Sequence, residues 1–219
     1  KIPSILVMFQ GIFSQAWTMS AVQGYDKDDK NGFFTRMYQS YNLCMVLVCS
    51  VLIMLSRVMA KFLYANDFYN AWKYVPFLLI ASVFGALSGY VGGIFAATKD
   101  TKIFAKTSIM GAVANLMLTF VLVWKVGVMG AAIASPVSYG FIWYLRIKSV
   151  SKYMNMKINL FKDVFGYLIL CIQTVLLFIF PDNILFFILQ LLAIVVLLLL
   201  NKELLSIVMN KITNKFIKR

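Results

Sequence analysis

Residues 184–200 read ILFFILQLLAIVVLLLL, almost pure Leu, Ile, Phe and Val, and the run stops only at Asn201. A helix crosses the hydrocarbon core of a bilayer with ~20 such residues. Working back along the chain, six more runs fit that window, at approximately 3–23, 37–55, 74–97, 103–124, 126–145 and 164–180. The runs are continuous, whereas a membrane barrel would show alternating segments of ~10 residues. The sequence therefore predicts an all-α membrane protein, a polytopic transmembrane helical bundle of about seven spans over residues 1–200.

Composition agrees. Of 219 residues, 62% are hydrophobic and 13% charged, against ~45–50% and ~25% in soluble domains. No histidine is present, which excludes a His-ligated metal and a His general base. Cys44, Cys49 and Cys171 fall in apolar runs without paired metal spacing and read as core thiols. No catalytic constellation and no metal or other cofactor site is expected. The connections are short, none of them large enough for a soluble domain.

The net charge of +13 would suit nucleic acid if taken alone. In an alternating topology it sorts by side instead. Lys27, Lys30, Arg36, Lys99, Lys102, Lys106, Arg146, Lys148, Lys152, Lys157, Lys162 and the tail cations share one side, and only Lys1, Arg57, Lys61, Lys73 and Lys125 share the other. The positive-inside rule makes the richer side cytoplasmic. The C-terminus is expected inside and Lys1 outside, and a start there without Met or signal peptide predicts an odd number of spans upstream. Residues 201–219 form a basic amphipathic cytoplasmic tail. Leu204, Val208, Ile212 and Phe216 recur at steps of four, and Lys211, Lys215, Lys218 and Arg219 are placed to meet anionic lipid. An aromatic belt is expected on the outer face, from Phe62 and Tyr64 through Phe68, Tyr69, Trp72 and Tyr74.

Polar residues inside the spans are the functional candidates. Gln10, Ser14 and Thr18 follow an i, i+4, i+8 line in the first span, with Gln15 close by. They serve either interhelical hydrogen bonds or a polar cavity. Asn42 and Asn115 are candidates of the same kind. Small residues recur in the third span (Ser82, Gly85, Gly89, Gly92, Ala96), the fourth (Ser108, Gly111, Ala112) and the fifth (Gly127, Gly130, Ala131, Ala134, Ser135, Ser138). They permit close helix packing, and Pro136 amid the last set is a candidate hinge. No carboxylate and no Arg or Lys is expected deep in a span, although Arg57, Lys61 and Lys106 lie near span ends.

Several stretches resemble one family. Residues 1–6 (KIPSIL), 12–17 (IFSQAW), 69–76 (YNAWKYVP), 97–102 (ATKDTK), 111–116 (GAVANL) and 126–134 (VGVMGAAIA) are similar to the second half of bacterial polysaccharide repeat-unit flippases for O-antigen and capsule. These belong to the multidrug/oligosaccharidyl-lipid/polysaccharide exporter superfamily. The resemblance covers residues 1–150, and Pro136 departs from it, since the family more often has a small or hydroxyl residue there. It implies half of a 12–14-span, two-lobed exporter that moves a polyprenyl-diphosphate-linked oligosaccharide, with other polysaccharide-assembly proteins as partners and no nucleic acid. It also implies that the cationic cavity residues lie in the first lobe. Gln10, Gln15, Asn115, Tyr38 and Tyr41 would then meet sugar hydroxyls. A drug or small-solute exporter of the same superfamily, or a polysaccharide polymerase, is the alternative.

Overall fold

The computed structural model describes residues 1–64 and 66–206 of the chain. The break between its fourth and fifth helices shows how the sequence sets the elements. α4 (Thr101–Val126) and α5 (Val128–Val150) are separated by Gly127 alone, at φ 65°, a conformation that costs glycine nothing. Proline sits in the first turn of α1 (Ile2–Gln23) and of α3 (Val75–Ala97), where no amide partner is lost. Asn159 and Asn183 cap α6 (Leu160–Ile179) and α7 (Ile184–Leu200) by accepting the Lys162 and Phe186 amides. α2 (Phe33–Leu63) and a 3₁₀ helix (Asn66–Lys73) complete the set. Among the described residues every regular element is helical. Six helices have the length and hydropathy of a membrane span, and α7 is a shorter apolar helix.

A helix stands at each of the seven expected runs, but the ends differ. α2 runs four residues earlier and eight later than 37–55, and α5 continues to Val150. Hydropathy marks only the apolar part of each helix, whereas the backbone ladder continues wherever a charged side chain finds partners. Of the expected tail, only the first turn belongs to the described residues. Val208, Ile212, Phe216 and the cations Lys211, Lys215, Lys218 and Arg219 lie outside them.

α3 is the most enclosed helix and packs against α1, α2 and α5. An aromatic seam joins α1, α2 and α3. Phe13 stacks on Tyr41 at 3.7 Å and Trp17 on Tyr90 at 4.1 Å. The Trp17 indole donates to the Tyr90 carbonyl at 2.8 Å, and the Tyr90 hydroxyl to the Phe34 carbonyl at 2.7 Å. α1 comes this close because residue 93 is glycine, where a Cβ would stand 2.7 Å from the Trp17 ring nitrogen. In α6 and α7, Gln173 and Gln190 are fully buried, and Gln190 Nε2 donates to the Gln173 carbonyl at 3.0 Å. Ser50 of α2 donates to Gln173 Oε1 at 2.7 Å. These bonds fix how α7 faces α6, as polar pairs do where apolar contact alone has no preferred direction.

Loops expected on one side gather at one end. Asn155 donates through its amide to the Lys27 carbonyl, Tyr25 to the Tyr153 carbonyl, and Tyr153 to Asp100. At the other end, Asp182 pairs with Arg57 and Lys61, and Lys1 reaches the Leu63 carbonyl. Two charges assigned to loops belong inside helices instead, because Arg57 and Arg146 are both buried. Arg146 lies in the last turns of α5, just past the apolar run of that span. Trp72 does not sit in an exposed belt but lies buried beneath the Arg57 guanidinium, 4.5 Å from its ring centre, while Phe62 and Phe68 are exposed.

The Tyr153 hydroxyl lies 2.5 Å from Asp100 Oδ2. This bond, ahead of nearby backbone amides, holds the Asp100 carboxyl below its usual range, and the same bond raises the Tyr153 phenol. A carboxyl lowered by folding adds stability above its ordinary pKa of about 3.9 and loses it as pH falls through the lowered value. The raised phenol adds stability below about 10 and loses it as pH rises through the raised value. The contact is therefore expected to loosen in acid. The protection of the residue 98–103 amides against hydrogen exchange, taken relative to the intrinsic rate at each pH, should fall as pH drops below about 4, with that response blunted in Tyr153→Phe. An identical acid response in Tyr153→Phe would show that the bond does not hold this turn.

Candidate functional site

α4 packs along α5 but only lightly on α3, and the wedge this leaves is a cleft of about 600 Å³ between α1, α3, α4 and α5. Small residues make the room. Gly85, Ser88 and Gly89 of α3 face Ser108, Gly111 and Ala112 of α4 and Ser135 and Ser138 of α5. The small stripes of the third, fourth and fifth spans therefore do more than pack helices, since together they line a polar space. Two of the candidates read from the sequence, Gln10 and Asn115, line it. Ser14 and Thr18 border a neighbouring hollow of about 340 Å³ that shares Gly89 and Phe104 with the cleft. There Thr18 bonds back to the Ser14 carbonyl at 2.9 Å.

The other candidates lie elsewhere. Gln15 is exposed on α1. Tyr41 belongs to the aromatic seam through its stacking on Phe13. Tyr38 and Asn42 belong to a separate network, donating to the two Asp163 carboxylate oxygens at 3.2 and 2.8 Å. Tyr167 donates to Asn42 and Trp143 to Tyr38, each at 3.1 Å. This network ties α2, α5 and the first turn of α6. Pro136 lies inside an unbroken α5 and borders an apolar groove of about 540 Å³ with Phe84, Gly140 and Cys171.

Arg146, which reads in the sequence as a loop charge, lines the cleft as its one cation among the described residues. Its side chain donates from Nε to Thr107 Oγ1 at 3.1 Å, from Nη1 to the Ser88 carbonyl at 2.9 Å and from Nη2 to Ser108 Oγ at 2.8 Å. Its guanidinium covers the Phe104 ring at 4.1 Å. One signal of this was present in the sequence: Ser135, Ser138, Ile142 and Arg146 step by three, four and four, a single helix face. The following Lys148 and Lys152 masked it as one more loop charge.

No family model and no curated protein matches the chain. Among solved structures, the fold is similar to that of the lipid II flippase MurJ in its inward closed conformation, with a TM-score of 0.59 and 17% sequence identity. The match covers 94% of this chain and 45% of that one. The chain thus spans less than half the length of that flippase, and what it shares with it is the helical fold.

Proposed function

We propose that this chain is one lobe of a transporter that moves a polyprenyl-diphosphate-linked oligosaccharide, an O-antigen or capsule repeat unit, across the bacterial cytoplasmic membrane by alternating access. The observation that carries this reading is the cleft, where amides and hydroxyls (Gln10, Asn115, Ser135) and one cation line a space within an otherwise apolar bundle. Neutral donors and acceptors suit sugar hydroxyls, and a polar wall in a membrane is costly unless it serves a cavity. The likeness to a flippase of a lipid-linked substrate supports the same reading. In it, the end bearing Lys27, Lys99 and Lys157 faces the cytoplasm and Lys1 lies outside, with the basic tail held on anionic lipid. Other polysaccharide-assembly proteins would act alongside. No catalytic step is assigned to it.

The test uses a strain whose surface glycan depends on the protein. Gln10→Leu removes a donor and an acceptor from the wall of the cleft and is expected to lower glycan export about tenfold, the effect of leaving a partner group unpaired. The protein level should stay normal. Unchanged export would mean that Gln10 only packs helices.

A further inference from the structure

We propose that Arg146, Ser88 and Ser138 form a binding site for an oxyanion of the transported molecule, either the diphosphate of a carrier lipid or the carboxylate of an acidic sugar. This inference rests on the transport reading above and refines it, because it places a cationic anchor in this lobe as well as the other.

The argument begins with charge. Arg146 is 4% exposed, and no carboxylate pairs with it among the described residues. A buried guanidinium without a counter-ion is costly unless its donors and its charge are met. Its five N–H groups make three bonds to helix atoms. Two therefore remain for a ligand in the cleft that Arg146 lines.

The serines supply an independent observation. Ser88 and Ser138 are 3% and 1% exposed, both line the same cleft, and neither hydroxyl has a hydrogen-bond partner. Their neighbours behave differently. Ser108, Ser135 and Thr107 each donate back to a carbonyl of their own helix, the usual refuge of a hydroxyl in an apolar helix. A role for Arg146 as a tie between α3, α4 and α5 explains its three bonds. It does not explain two orphaned hydroxyls in the same wall, nor the missing counter-ion. A bound oxyanion supplies acceptors to both hydroxyls and to the spare guanidinium donors, and such charge-assisted bonds are the strong ones.

The experiment measures binding to the protein in lipid nanodiscs by tryptophan fluorescence. The probes are farnesyl diphosphate against farnesol, and a glucuronate disaccharide against its neutral glucose counterpart. At least one acidic probe is expected to bind about tenfold or more tightly than its neutral partner, and which one does identifies the source of the oxyanion. Ser88→Ala with Ser138→Ala should remove most of that preference without lowering the melting temperature, since neither hydroxyl bonds to the protein. Arg146→Gln should abolish it and Arg146→Lys keep part of it. The proposal is overturned if neither acidic probe is preferred or if the serine variant binds as the wild type does. Translocation of a polyprenyl-diphosphate oligosaccharide in liposomes separates the two readings. Normal translocation with no oxyanion preference leaves transport standing and removes the site. Oxyanion preference without translocation keeps the site and removes the transport reading.

Discussion

Replacing Arg57 by alanine is expected to lower stability by about 1.5–3 kcal/mol, the range for hydrogen bonds made by a charged group. Arg57 holds a corner. Nη1 donates to Asp182 Oδ1 at 2.8 Å and to the Phe180 carbonyl at 2.9 Å, Nη2 donates to the Leu177 carbonyl, and the guanidinium lies over Trp72. The Leu177 carbonyl belongs to the last turn of α6 and the Phe180 carbonyl to its C-cap, where no further helix amide can reach them. One side chain therefore ends α6, neutralises Asp182 and seats the 3₁₀ helix. Alanine strips all three, and Lys61, exposed and 3.7 Å from Asp182, replaces only the charge. Arg57→Lys should recover less than half of the loss, because an ammonium is a point charge without the planar fork that spans these acceptors. Thermal unfolding in detergent micelles reads the difference. Equal melting of wild type and Arg57→Ala would show the pair to be without weight.

Gly130→Ala is expected to cost about 3 kcal/mol, the upper part of the range for overpacking, or to prevent folding altogether. A Cβ at residue 130 would stand 2.3 Å from the Leu122 carbonyl carbon and 2.6 Å from the Val123 amide nitrogen. Those are backbone atoms of α4, and they cannot turn aside. The hairpin has no slack, since Gly127 alone joins the two helices. Gly111→Ala brings a Cβ nominally closer, 2.1 Å from Ile142 Cγ1, yet it should cost less, because a side chain can change rotamer. Gly11→Ala has nothing within 4 Å and should be neutral or stabilising by up to about 1 kcal/mol. The order Gly130, Gly111, Gly11 in melting temperature checks the geometry, and any other order counts against it.

The Arg57 corner marks where the sequence stops being legible. Read in order, Arg57 and Asp182 stand 125 positions apart, each at the edge of an apolar run. Each looked like a loop charge. Arg146 reads in the same way, standing just ahead of Lys148 and Lys152. The Asp163 network with Tyr38, Asn42 and Tyr167 is not legible as a unit in the sequence, because it joins a pair on α2 to a pair on α6 about 120 residues away.

What the sequence determined by itself is the set of spans, their alternation and the sorting of loops to two ends. These depend on run length and turn chemistry, such as Gly127, Pro3 and Pro76, which act within one helix or one turn. What the tertiary structure decided is which face of each helix meets which neighbour: that Gln10 and Asn115 share a cleft, that Gln15 lies outside it, and that Arg146 closes its head. In water, an apolar stripe announces the buried face of a helix. In a bilayer, lipid and protein interior are both apolar, so apolar helices such as α7 carry no such mark. Their rotation is set by contacts of shape and by a few polar bonds between distant residues.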